Sequence, residues 1–104
     1  MATVFEFSTT NYDDDVFQLK KAMSRLETLC GAPGGFALSE PVTRFGWTFF
    51  KIALKLNLRM GIEEKFSDMI QRYPKAKQQD KLTKFMSDFL ESKGCKFKVK
   101  LIEY

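Results

Sequence analysis

From Arg44 to Met60 the chain alternates between two kinds of side chain. Gly46, Thr48, Phe50, Ile52, Leu54, Leu56 and Leu58 form one row, almost entirely apolar. Phe45, Trp47, Phe49, Lys51, Ala53, Lys55, Asn57 and Arg59 form the other, aromatic at its start and basic along its length. Strand side chains point alternately to opposite faces, so one long strand would bury the aliphatic row and present the other. Rings interleaved with cations suit a single-stranded nucleic acid, because rings stack bases and cations neutralise phosphates. The same segment also lays a helical stripe through Phe45, Phe49, Ile52, Leu56 and Arg59/Met60. Ser39-Glu40-Pro41 resembles a helix start, and Leu, Ala and Lys favour helix intrinsically. The unbroken alternation from Phe50 to Leu58, and the strand formers between Gly46 and Phe50, favour the strand.

The rest of the chain supplies shorter elements. Val4 to Ser8 reads as a first strand with Phe5 and Phe7 inward, since the opposite register would bury Glu6 at a cost of several kcal/mol. A polar turn over Asn11–Asp15 leads into a helix whose apolar stripe is Val16, Leu19, Met23, Leu26 and Cys30. Asp13, Asp14 and Asp15 stand at its start, where they can cap N–H groups and complement the helix dipole. Gly31 stops it. Gly35 to Ser39 reads as a short second strand, with Glu40-Pro41 turning the chain into the long one. Gly61 then opens a helix with Glu63 and Glu64 in its first turn and Ile62, Phe66, Met69, Ile70 and Tyr73 on one face, interrupted at Pro74. A further helix carries Leu82, Phe85, Met86, Phe89 and Leu90 inward and ends at Lys93-Gly94. Cys95 to Tyr104 reads as a last strand with Cys95, Phe97, Val99 and Leu101 inward and Lys96, Lys98 and Lys100 outward.

This order, β-α-β-β-α-α-β in one domain over residues 1–104, is the split βαβ arrangement of ferredoxin-like folds. Its α+β architecture packs helices on one face of an antiparallel sheet and leaves the other face open. The first and long strands become neighbours, and the last strand lies beside the first. The open face is then expected to carry Phe45, Trp47, Phe49, Lys51, Lys55, Arg59, Lys96, Lys98 and Lys100. The segment Phe45-Gly46-Trp47-Thr48-Phe49-Phe50 resembles the third-strand pattern Phe-Gly-Phe-Val-x-Phe of the RNA-recognition motif. Thr43 and Arg44 replace the basic residue and glycine that precede that pattern in the family, and Val4-Phe5-Glu6-Phe7 matches its companion motif poorly. The alternative for the three aromatics is packing beneath the 31–41 loop as a second small core.

Charge sharpens the picture. The net charge is +4, but through Thr43 there are three basic residues against six acidic ones, and from Arg44 onward fourteen against seven. The second part is suited to a polyanion. There is no histidine, which removes the commonest general base and transition-metal ligand. Cys30 and Cys95 read as buried free thiols of a reducing compartment. Three consecutive aspartates lack the alternating ligand spacing of a calcium loop. No phosphate cradle appears, because Thr9–Asp13 is acidic and glycine-free. We therefore expect a non-enzymatic protein without cofactor or metal. No apolar run reaches the roughly 20 residues that span a bilayer. No secretory pattern opens the chain, so the expected compartment is the cytoplasm. The expected partner is single-stranded nucleic acid. A protein target bound as by a small inhibitor or adaptor is the alternative, and exposed strand edges would permit a homodimer.

Overall fold

The computed structural model describes residues 3–104. Five strands and four helices follow in the order β1 (Thr3–Thr9), α1 (Tyr12–Cys30), β2 (Phe36–Leu38), β3 (Val42–Arg44), β4 (Trp47–Leu54), α2 (Leu56–Lys65), α3 (Ser67–Gln71), α4 (Gln78–Ser92) and β5 (Lys98–Glu103). The protein is a mixed α+β structure built on one open antiparallel sheet. The strand order is β2-β4-β1-β5, with β3 also paired to β4. β1 is flanked by β4 and β5, both antiparallel to it.

Period-two patterning sets the faces. Phe5 and Phe7 of β1 and Phe50, Ile52 and Leu54 of β4 are buried together with Leu19, Met23 and Leu26 of α1 and Leu82, Phe85 and Met86 of α4. Burying one such side chain stabilises by about 1.5–3 kcal/mol, so Phe5 and Phe7 fix the register of β1 and keep Glu6 on the other side. Leu19, Met23 and Leu26 of the expected α1 stripe are buried and Ala22 joins them, while Val16 and Cys30 at its two ends are only half-buried. Gly31 takes the left-handed conformation at its C-cap, where its N–H and that of Ala32 close on the last turn. The aspartates occupy the first turn of α1, but no side chain caps it. Thr9 organises this corner instead: its hydroxyl donates to Asp15 and accepts the N–H of Asn11.

Four expectations are corrected. The segment Arg44–Met60, expected as one strand, is in fact the end of β3, a turn, β4 and the first part of α2. Among the described residues the pairing of β4 with β1 and with β2 runs as far as Leu54. Lys55 gives its N–H to the carbonyl of Gly35, and its own carbonyl accepts the N–H of Arg59, the first bond of the helix. Leu58 and Ile62, four apart, bury fully, whereas Leu56 is 51% exposed. The alternation of Leu54, Leu56 and Leu58 thus spans a change of structure. Glu63 and Glu64 lie late in α2, and Gly61 lies inside it. Second, Glu40-Pro41 is not the turn into the long strand. An additional strand, β3, follows it, and the chain reverses at Phe45-Gly46. Third, Met69 is 51% exposed rather than core, because α3 is a separate short helix that turns Ile70 inward. Fourth, β5 begins at Lys98. Cys95 and Phe97 still face inward, but from the loop that precedes it.

Candidate functional site

The register of the sheet assembles its open face row by row. Directly opposed residues share a face. Lys51 of β4, Glu6 of β1 and Lys100 of β5 form one row, and Phe49, Ser8 and Lys98 form the next. Beyond them Trp47 opposes Arg44, and Phe49 opposes Val42 on the outer side. Adjacent strands are about 4.8 Å apart, so each row is roughly 10 Å wide. Trp47, Phe49 and Lys51 succeed one another along β4 at two-residue spacing, about 7 Å each.

A hairpin builds one end of this face. Arg44 and Trp47 close a two-residue loop, Phe45-Gly46, with φ of 52° and 80°. Positive φ at both positions marks the turn whose twist suits a β-hairpin. Glycine adopts that geometry freely and phenylalanine does not. Phe45 is fully exposed at the tip. The hairpin shelters a depression of about 730 Å³ lined by Glu6, Val42, Arg44, Trp47, Phe49 and Lys51 among others. A second depression, about 600 Å³, lies on the other side of Trp47 against Lys96, Lys98 and the end of α4. Trp47 therefore divides two hollows. The Lys98 ammonium sits 5.2 Å from the centre of its ring, a cation–π contact.

Of the nine residues expected on one face, five come together there: Trp47, Phe49, Lys51, Lys98 and Lys100. Lys96 is beside the second hollow, before β5 starts. Phe45 is on the turn, outside the paired rows, where it borders the first hollow. Lys55 is the N-cap of α2, at the end of β4 farthest from the hairpin. Arg59 belongs to the helical layer. Its guanidinium donates to the backbone carbonyl of Tyr104 (3.2 Å) and the hydroxyl of Thr3 (3.4 Å). It also lies over the Tyr104 ring, with Nε 3.6 Å from Glu63. Tyr104 donates its own hydroxyl to Glu63. Arg59 thus fastens the end of the chain to α2. Burial, together with the charge of Glu63 and this hydrogen bond, raises the phenol pKa, while Arg59 opposes the shift.

Two residues of the face were not among those expected. Arg44 is brought in by β3, for which the β-forming run Val42-Thr43-Arg44 ahead of an x-Gly pair was the available signal. Glu6 faces outward, as the alternation of β1 requires, at the centre of a lysine-flanked row. That position follows only from the pairing register. Among the cysteines, burial pushes the Cys95 thiol up to about 11, with the charge of Asp15 adding to it. Cys30 is raised by burial and partly lowered by Lys65. Both are free thiols, held protonated at neutral pH.

Comparison with protein-family models, curated proteins and solved structures finds no match to this chain. No helix among the described residues is long and apolar enough to cross a membrane. Of the segment Phe45–Phe50, Phe45-Gly46 forms a turn and only Trp47 to Phe50 lie on the strand.

Proposed function

We propose that this protein binds single-stranded nucleic acid on the open sheet face, without catalysis. The observation that supports the reading best is the succession of Trp47, Phe49 and Lys51 along β4, with Lys98 and Lys100 across the sheet and Arg44 at the hairpin. The spacing of the rings lets successive splayed bases stack, while the flanking cations take the phosphates. Lys98 over Trp47 does not block this. An exposed cation–π contact is worth about 0.5–1 kcal/mol, against about 1–3 kcal/mol for a stacked base. The base wins the ring and frees the ammonium for phosphate.

The same reading takes the fold as a ferredoxin-like split βαβ arrangement. It treats β2 and β3 as two halves of one edge strand interrupted at Ser39–Pro41. Their shared, antiparallel pairing with β4 supports this. Two free cysteines are consistent with a reducing compartment such as the cytoplasm.

The test is emission from Trp47, the only tryptophan, during titration with a short single-stranded oligonucleotide at low salt. Quenching that reverses with added salt is expected. Trp47→Ala, followed by anisotropy of a labelled oligonucleotide, should weaken binding by about 1–3 kcal/mol. Unchanged affinity would remove the stacking mechanism. A second reading, a protein-interaction module, is favoured by one observation: Phe45 is fully exposed at the hairpin tip, with Val42 also exposed nearby. An aromatic displayed in this way is typical of an interface anchor.

A further inference from the structure

A carboxylate at the centre of a phosphate-binding face is out of place unless it has a task. Glu6 is half-buried on the middle strand and opposed by Lys51 on one side and Lys100 on the other. The ion pairs of the described residues are Arg59–Glu63 and Lys84–Asp88, and Glu6 is in neither. Glu6 lines the same hollow as Trp47, Phe49 and Lys51. Ser8 opposes Phe49, so Glu6 is the diagonal neighbour of that ring. Diagonal cross-strand residues lie about 7–8 Å apart, within reach of long side chains. A base stacked on Phe49 would present its edge to Glu6 and Lys51.

The chemistry of that pair selects among bases. A carboxylate only accepts hydrogen bonds, and an ammonium only donates them. Guanine carries two adjacent donors, N1–H and N2–H, beside one acceptor, O6. The donors match the two oxygens of Glu6, and O6 matches the lysine ammonium. Adenine, cytosine and thymine each lack the paired donors. We infer that Glu6, flanked by Lys51 and Lys100, reads guanine in the single strand held on this face. The inference rests on the proposed nucleic-acid reading and adds a base preference to it.

The experiment uses the full chain and thymine octamers carrying one central guanine, adenine or cytosine, with the all-thymine octamer as reference. The guanine octamer should bind roughly tenfold tighter than the reference, the range of a bidentate base contact. Glu6→Gln keeps the shape of the side chain but replaces one acceptor oxygen by a donor. It should abolish the guanine preference, and all-thymine affinity should rise slightly, since one negative charge has left the face. Glu6→Asp, with its carboxylate drawn back by one methylene, should keep a reduced preference. Equal wild-type binding of all four octamers would overturn the guanine assignment and leave the platform standing. A guanine preference that persists in Glu6→Gln would overturn the role of Glu6. Failure of every octamer to bind would overturn both this inference and the proposed function.

Discussion

Phe45 holds a backbone conformation that its side chain opposes. A non-glycine residue in the left-handed region is destabilised by roughly 1–2 kcal/mol, and asparagine tolerates it best. Because Phe45 is fully exposed, no packing offsets the strain. Phe45→Asn, which creates the favoured pair before Gly46, should therefore raise stability by about 0.5–1 kcal/mol. A higher urea midpoint at unchanged slope would show this, and a lower midpoint would contradict the turn geometry. The same variant separates the two functional readings. The nucleic-acid face should keep most of its affinity, because Phe45 borders the hollow but stands outside the paired rows of Trp47, Phe49 and Lys51, whereas a protein anchor would lose its partner. Individual residues were unevenly legible. The outward lysines of β5 followed from alternation alone. Arg59 did not, because in sequence it continues the basic row, and only the turn of α2 carries it to Tyr104.

At the scale of elements, legibility tracked how strongly local pattern and long-range pairing agree. β1, α1 and α4 have patterns that no other structure would satisfy as well. The Arg44–Met60 segment satisfies strand and helix in turn, and Lys55 marks where one becomes the other through contacts invisible in a local window: its N–H donates to the carbonyl of Gly35, and its own carbonyl accepts the first N–H of the helix. Gly61 shows what the helix needs there. A Cβ at this position would stand 2.8 Å from the Cβ of Cys30 and 3.3 Å from its carbonyl oxygen. Alanine in a helix interior is ordinarily worth up to about 1 kcal/mol over glycine. Here the contact is with rigid atoms of α1, and overpacking typically costs about 1–3 kcal/mol. Gly61→Ala should thus be net destabilising by about 1 kcal/mol, measured by chemical denaturation. Cys30→Ala retains the offending Cβ and should not rescue it. A stabilised Gly61→Ala protein would mean that α1 and α2 are farther apart than described.

For the whole molecule, the sequence pointed to a basic second part, and the fold divides that charge between surfaces. Of the six cations expected on one face, Lys51, Lys98 and Lys100 reach it, β3 adds Arg44, and Lys96 borders it. Lys55 and Arg59 are turned elsewhere by the start of α2. The division has a measurable consequence. Binding to a single strand releases counterions, and log K falls against log salt with a slope of about −0.7 per phosphate neutralised. Four cations on the face set a slope of about −3, whereas the six expected from alternation would have set one of about −4. Lys100→Gln should make the slope shallower by about 0.7, and Lys55→Gln should leave it unchanged, since Lys55 lies at the far end of β4. Arg59 is unsuited to this comparison, because its removal would also loosen the end of the chain. Titrations at several salt concentrations with the wild type and the two glutamine variants decide the matter. Equal effects of Lys55→Gln and Lys100→Gln would mean that the nucleic acid follows the diffuse charge of the second half of the chain rather than the rows of the open sheet.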